Sequence, residues 1–269
     1  MVFYFNAFLG LVWMVAWLVF STNNPREHSK ITPEELREIE ENLALRPRIS
    51  VSPWSIVKSR PVLMLSLSYM FLVFGVWMIV LWLPTYLVEG RGFSVQAMGW
   101  IGMMPTLASF AGLVSGGVLS DNLLKRGFTT RSARVYAPSL CIALGIPFLV
   151  AAVLVPWGGV SAICIAAYLF TINLSTGGYW AVPLELNPRL VGAISGVMTC
   201  AGNFGGIFGP MTAGYIFKAT GSWSLPFLIA AGFALLAFVF FYFFVDPNPV
   251  EFESLVPESA GLDVAADPA

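Results

Sequence analysis

Charge is the scarcest property of this 269-residue chain: Asp, Glu, Lys and Arg make up 11% of it, against 57% apolar residues. A soluble domain carries about a quarter charged residues, so an ordinary water-facing fold is excluded. The formal net charge is −1, and no nucleic-acid partner is expected. Cys141, Cys164 and Cys200 are far apart, form no CxxC pair and indicate no disulfide framework. The single histidine, His28, rules out an HExxH site, and neither a metal nor an organic cofactor is expected. No acidic pair lies within the apolar stretches and no nucleophile sits beside a base, so the composition argues against an enzyme.

What the chain has instead is long uncharged runs. Seven stretches are free of Asp, Glu, Lys and Arg: 2–20, 61–83, 97–119, 135–155, 160–181, 190–216 and 224–245. About 20 residues rising 1.5 Å each cross a hydrocarbon core of about 30 Å. Lipid offers the backbone no hydrogen-bond partner, and the short alternating strands of a barrel are missing, so each stretch is predicted to be a helix. The fold class is therefore all-α, a polytopic membrane protein with seven transmembrane helices. The first stretch, VFYFNAFLGLVWMVAWLVF, lacks a basic leader and a small-residue cleavage pattern, and reads as a span rather than a signal peptide.

The loops alternate in charge. Segment 21–60 holds Arg26, Lys30, Arg37, Arg46, Arg48, Lys58 and Arg60; segment 120–134 holds Lys125, Arg126, Arg131 and Arg134; Arg189 precedes the sixth span. The intervening loops hold Arg91 and Lys218. The positive-inside rule places 21–60, 120–134, 182–189 and the C-terminus in the cytoplasm, with Met1 outside. An uncharged start that enters the bilayer at once reads as an internal cut, so the chain is expected to be the back part of something longer.

Between the first two spans, Thr32 is a natural N-cap with Glu35 three residues on, Pro33 suits the first helical position, and Ile31 with Leu36 can form a hydrophobic staple. A helix over about 33–45 is predicted, with Leu36, Ile39 and Leu43 on one face. It either lies under the membrane and links two halves of a bundle or is a solvated spacer. Residues 61–245 then form a six-helix bundle. The tail 246–269 is acidic, proline-rich and poor in large apolar groups, and is expected to be disordered.

The runs GLVWMVAW (10–17), PREH (25–28), ITPEEL (31–36), WLPTYLVEGRGFS (82–94), GGVLSDNLLKRG (116–127) and NPRLVGAISG (187–196) carry a resemblance. Together they resemble the C-terminal part of a major facilitator superfamily transporter. In finer detail the chain is similar to the anion:cation symporter family, which imports sugar acids and other organic carboxylates; a nearby carboxylate or phthalate-type permease is the adjacent alternative. The likeness covers about residues 3–245 and implies helices six to twelve of a twelve-helix protein. It also implies nested inverted repeats, for which this superfamily is itself a standing example, and a place in a bacterial inner membrane.

Against that background GGVLSDNLLKRG is the candidate gating motif. Gly116 and Gly117 permit close helix contact, while Asp121 falls at a helix C-terminus, where the macrodipole disfavours a carboxylate. Such a group wants a cation, and Lys125, Arg126 and Arg131 are the candidates. The resemblance implies a cytoplasmic gate whose charge contacts are made in one state and broken in another. Otherwise the segment is a plain interfacial loop.

Two polar clusters are candidate substrate contacts. In CAGNFGGIFGP an amide in hydrocarbon is costly unless it faces a partner or a wet cavity. Asn203 is thus predicted to face a midplane site or to bond a neighbouring helix. Gly192 with Gly196, Gly202 with Gly206, and Gly205 with Gly209 are small-xxx-small pairs, and Pro210 favours a kink. In TINLSTGGYW, Asn173, Thr176 and Trp180 share a face at i, i+3 and i+7 and suit a polyhydroxylated anion; alternatively Tyr179 and Trp180 are interfacial belt residues and the hydroxyls bond their own helix. Trp77 and Tyr69 can face the same cavity, and Trp77 lies nearer the middle.

No Asp, Glu, Lys, Arg or His falls within any of the seven stretches. If proton-driven anion uptake applies, as the resemblance implies, the coupling carboxylates and the anion-pairing arginine belong to helices one to five, absent from this chain. The chain alone is then expected not to transport. The alternative is a non-transporting membrane scaffold or the remnant of a truncated transporter gene.

Overall fold

The computed structural model describes residues 2–22, 25–27, 30–44 and 51–252. Among them seven helices are long and apolar enough to cross a membrane, and no strand occurs. The elements are α1 (Val2–Phe20), α2 (Pro33–Ala44), α3 (Pro53–Lys58), α4 (Arg60–Thr85), α5 (Val95–Lys125), α6 (Ala137–Leu154), α7 (Gly158–Leu186), α8 (Val191–Thr220) and α9 (Ser224–Val239). Five-residue π turns prolong α4 (Tyr86–Gly90) and α9 (Phe240–Phe244) and lead into α6 (Ser132–Tyr136). The chain divides into two units, Met1–Ile49 with Val256–Ala269, and Ser50–Leu255.

In the first unit α1 is apolar all round apart from Asn6, with Phe3, Trp13, Trp17 and Phe20 all exposed. A helix of that length and character is suited to hydrocarbon. α2 opens with a reciprocal cap: the Thr32 N–H donates to Glu35 Oε2 at 3.0 Å and the Glu35 N–H to Thr32 Oγ1 at 3.3 Å. The Thr32 backbone N–H and hydroxyl hold the Glu35 carboxyl below the usual carboxylate range. Arg26 Nε donates to Glu40 at 2.6 Å and Arg37 Nε to Glu41 at 2.7 Å, both in the open. His28 and residues 45–50 lie outside the described residues.

The second unit rests on two helix pairs in which backbone meets backbone. On α8, Gly205 and Gly209 lie against the carbonyl oxygens of Met70 and Phe74; on α5, Gly112 and Gly116 lie against those of Phe170 and Leu174. Numbers rise together across each contact, so both pairs run parallel. Any Cβ at these glycines would strike a carbonyl that has nowhere to move. Lipid tails are as apolar as Leu, so helices associate in hydrocarbon by close packing of this kind rather than by hydrophobic exclusion.

A repeat follows from which helices touch. α4, first of its triplet, packs on α8 and α9; α7, first of the next triplet, packs on α5 and α6; and α6 meets α9. The triplets α4–α6 and α7–α9 thus interlock by one rule, and because α4 and α7 run in opposite senses the repeat is inverted. Between them Tyr179 is fully buried, stacks on Phe241 at 4.0 Å, and pairs its hydroxyl with Ser68 Oγ at 2.6 Å. Ser68 Oγ donates in turn to the Ala237 carbonyl at 2.8 Å, which satisfies the buried cluster.

Two expectations are corrected here. Gly192, Gly196 and Gly117 face open space, and Gly206 meets only the side chains of Trp77 and Val73. The four-residue spacing recurs around the helix, but only the face turned to α4 finds a partner. Residues 246–252 are not a loose tail: the Val250 N–H donates to the Leu186 carbonyl at 2.8 Å and Asn187 Nδ2 to the Val250 carbonyl at 3.1 Å. The end of α7 leaves carbonyls without helical donors, and the extended chain supplies one. Residues 253–269 lie outside the described residues.

Substituting Gly205→Val is expected to lower the melting temperature of the detergent-solubilised protein by the equivalent of about 1–3 kcal/mol of overpacking. Gly196→Ala, in open space, should leave it nearly unchanged. Equal effects would show that the carbonyl contact is not what holds α8 to α4.

Candidate functional site

α4, α7 and α8 come together around Tyr69. Its ring lies against Gly202 of α8 and meets the indole of Trp180 edge-on, centroids 6.3 Å apart at 80°. Two turns further along α4, Trp77 lies over Gly206. Asn203 follows Gly202 directly and is exposed, with no hydrogen-bond partner among the described residues. It shares a helix face with Thr199, Gly206 and Pro210, at i, i+4, i+7 and i+11. The opposite side of α8 presents Phe204, Phe208, Met211 and Tyr215. α8 is therefore two-faced, small and polar on one side and aromatic on the other.

On α7 the spacing of Asn173, Thr176 and Trp180 puts all three on one face together with Leu169. Leu169 and Asn173 line a cavity of about 620 Å³ between α4, α5 and α7. Asn173 is half-buried, and its Nδ2 donates to the Leu169 carbonyl at 2.8 Å. Trp180 is half-exposed and Thr176 partly buried. Tyr179, one residue before Trp180, points the other way into the core, and Ser175 Oγ donates to the Ile172 carbonyl. Trp82 Nε1 donates to the Pro210 carbonyl at 3.0 Å, and α8 remains a single helix through that proline.

At the end of the unit where α5 and α7 finish, charge is concentrated on Arg134. Its Nη1 donates to Asp121 Oδ1 at 2.8 Å and to Ser120 Oγ at 3.0 Å, and its Nε to Glu185 Oε1 at 3.3 Å. Ser120 Oγ donates onward to the Ala133 carbonyl at 2.9 Å. One guanidinium thus joins the end of α5, the start of α6 and the end of α7. Side-chain exposure is 14% for Arg134, 60% for Asp121 and 29% for Glu185, so the bond to Asp121 is the more easily replaced by water.

This corrects the partner expected for Asp121, which is not Lys125, Arg126 or Arg131. The chain reverses at Gly127, φ 85°, and the π turn after it returns Arg134 to the side of α5. Lys125 and Arg126 stay exposed, and Arg131 places its guanidinium 5.3 Å from the centre of the Tyr136 ring. Arg134 and Glu185 were missed as a pair. A signal existed, because Glu185 is the sole acid between Asp121 and Asp246 and sits at a helix end that disfavours it.

The opposite end has its own arginine. Arg91 Nη2 donates to the Ala152 carbonyl at 2.6 Å, and its Nε to the Tyr86 hydroxyl at 2.6 Å. Tyr86 pairs with Ser161 Oγ at 3.0 Å, and Ser161 donates to the Ala152 carbonyl at 2.6 Å. Arg91 therefore caps the C-terminus of α6, where a cation opposes the helix dipole, and ties it to the start of α7. Between the two ends, neither the cavity nor the Tyr69 cluster contains an ionisable acid or a cation.

An inverted, interlocked repeat of membrane-length helices, with ion pairing at the Arg134 end and an arginine-capped helix terminus at the other, describes an integral membrane protein. The chain belongs to the Major Facilitator Superfamily, whose profile matches residues 1–210, and that superfamily comprises transporters rather than enzymes. A hexuronate transporter of Bacillus subtilis is 29% identical over 246 residues, covering 89% of this chain and 56% of that protein. A probable galactarate/D-glucarate transporter of Escherichia coli K12 is 30% identical over 255 residues, covering 88% and 56%. A probable sulfoacetate transporter of Cupriavidus necator is 27% identical over 224 residues, covering 82% and 52%. The chain spans about half the length of these relatives. The fold is also shared with a bacterial homologue of the human lysosomal transporter Spinster, solved inward-facing and unoccupied: TM-score 0.54, 18% identity, covering 86% of this chain and 57% of that one.

Arg134→Ala is expected to lower the melting temperature more than Asp121→Asn, because it leaves the part-buried Glu185 without its cation. Roughly 3–5 kcal/mol is the upper range for uncovering such a charge. Glu185→Gln in the Arg134→Ala background should recover part of the loss. No recovery would mean that Arg134 stabilises the fold through something other than its charge.

Proposed function

We propose that this chain is the C-terminal portion of a secondary transporter that moves a small organic anion, a sugar acid or other carboxylate, in symport with protons. Asn203, Trp180, Thr176, Asn173 and Trp77 form its wall of the substrate path. The observation that carries this reading is the meeting of α4, α7 and α8 at Tyr69, against Trp180 and Gly202, with an exposed, unpartnered amide at the next residue, Asn203. An unbonded amide at that depth is tolerated where it meets water or a polar ligand. The anion and sugar-acid transporters among the relatives support the substrate class.

The wall holds hydrogen-bonding groups but no charge, so the group that pairs with the anion and the group that takes up the proton belong to other helices. Five helices preceding α1 would supply them, and the relatives, about twice as long as the matched region, have room for these. The network of Asp121, Arg134 and Glu185 is the gate of this half: Asp121, the exposed member, exchanges partners as access alternates, while Arg134 holds α5, α6 and α7 together. Lys125 and Arg126 present an open, cationic surface beside it for the opposing half, flanked by Gly117 and by Arg131, which lies over the Tyr136 ring. The setting is a bacterial inner membrane, with the Arg134 end and the C-terminus in the cytoplasm and Met1 outside.

The test is uptake of a panel of labelled carboxylates by proteoliposomes holding the protein at the length of its relatives, with and without an inward proton gradient. Gradient-dependent, saturable uptake is expected, and Asn203→Ala should reduce it about tenfold, the order of one hydrogen bond to a charged or polyhydroxylated ligand, at unchanged yield of folded protein. Unaltered kinetics would remove Asn203 from the path. Saturable uptake by residues 1–269 alone would show that no further helices are required.

A further inference from the structure

The cavity between α4, α5 and α7 has three polar side chains, and all three share one habit. Thr106 Oγ1 donates to the Gly102 carbonyl at 3.2 Å, Ser109 Oγ to the Pro105 carbonyl at 2.9 Å, and Asn173 Nδ2 to the Leu169 carbonyl at 2.8 Å. Each turns a proton back onto its own helix, four residues earlier. What is left toward the cavity is oxygen lone pairs and one remaining N–H of Asn173.

The rest of the wall is apolar, set by Val76, Val80, Leu83, Met98 and Met103, and no Lys, Arg or His lies on it. A carboxylate needs donors or a cation, and this wall has almost none to give. A chain of hydroxyls needs both donors and acceptors, and would leave much of its hydrogen-bonding capacity unmet here. A hydrocarbon body needs neither and gains by leaving water. The donors of the site lie elsewhere along the helices. Trp180 is within two turns of Glu185, toward the Arg134 end, whereas Leu83, Pro84 and Met98 lie toward the Arg91 end.

We infer that this cavity takes the apolar body of the transported anion, so that the preferred ligand is an aliphatic or aromatic carboxylate rather than a sugar acid, its polar head turned toward Trp180 and Asn203. The inference rests on the organic-anion reading above and narrows it. It also departs from the polyhydroxylated ligand that the spacing of Asn173, Thr176 and Trp180 suggests, because the Asn173 amide is engaged with its own backbone. Val80 becomes a specificity-determining residue, exposed on the cavity side of α4.

The experiment compares uptake of labelled phenylacetate and glucuronate by the protein at the length of its relatives in proteoliposomes, for the unaltered protein, Val80→Asn and Val80→Leu. Phenylacetate is expected to show a KM at least tenfold below that of glucuronate. Val80→Asn should raise the phenylacetate KM about tenfold, the usual scale for a hydrophobic subsite contact, and narrow the preference; Val80→Leu should keep it. A preference for glucuronate that Val80→Asn leaves unaltered would overturn the inference and leave the organic-anion reading standing. Uptake of no carboxylate by protein with an intact melting transition would overturn both.

Discussion

Four glycine-to-carbonyl contacts hold the second unit in register: Gly205 and Gly209 on α4, Gly112 and Gly116 on α7. In hydrocarbon, helices gain little by hiding apolar surface from one another, so contact distance decides which faces join. Once these faces are committed, the others are assigned by exclusion. α8 keeps Asn203 exposed, one turn from part-buried Thr199, and four large apolar residues on another side. α7 keeps Leu169 and Asn173 on the cavity wall, with Thr176 and Trp180 further along the same helix face. The candidate site is what remains after the backbones have met.

Ionisable groups follow the same logic at the ends. Arg134 collects α5, α6 and α7 at one end and Arg91 collects α4, α6 and α7 at the other, each satisfying carbonyls or carboxylates that helix termini leave exposed. Both use the planar, multi-donor character of guanidinium, which a lysine ammonium would not reproduce. The middle, free of charge, can touch a ligand without holding an ion of its own.

Much of this was legible without coordinates. Long uncharged runs marked the seven spans, because only a helix satisfies its own backbone in lipid. The Thr32–Glu35 cap was readable from four residues, since its hydrogen bonds are local. The face shared by Asn173, Thr176 and Trp180 came from helical periodicity. Less legible were contacts that join distant segments: Arg134 with Glu185 and Asp121, Tyr179 with Ser68, and Val250 with the end of α7. No local rule distinguishes Arg134 from Arg131 three residues earlier. The fold decides, by the turn at Gly127.

What the amino-acid order determined by itself is the solvent and the number of crossings, because each rests on composition and periodicity along one helix at a time; the superfamily entered through the resemblance of particular runs such as GGVLSDNLLKRG. It also presented the small-residue spacing of α8 in three versions, and could not say which was used. Only the tertiary structure chose Gly205 and Gly209, left Gly192 and Gly196 open, turned Tyr179 inward and Trp180 outward, and bent the donors of the cavity back onto their own helices. A helix has one periodicity but many possible neighbours, and which neighbour arrives depends on backbone distances that no single stretch of sequence contains.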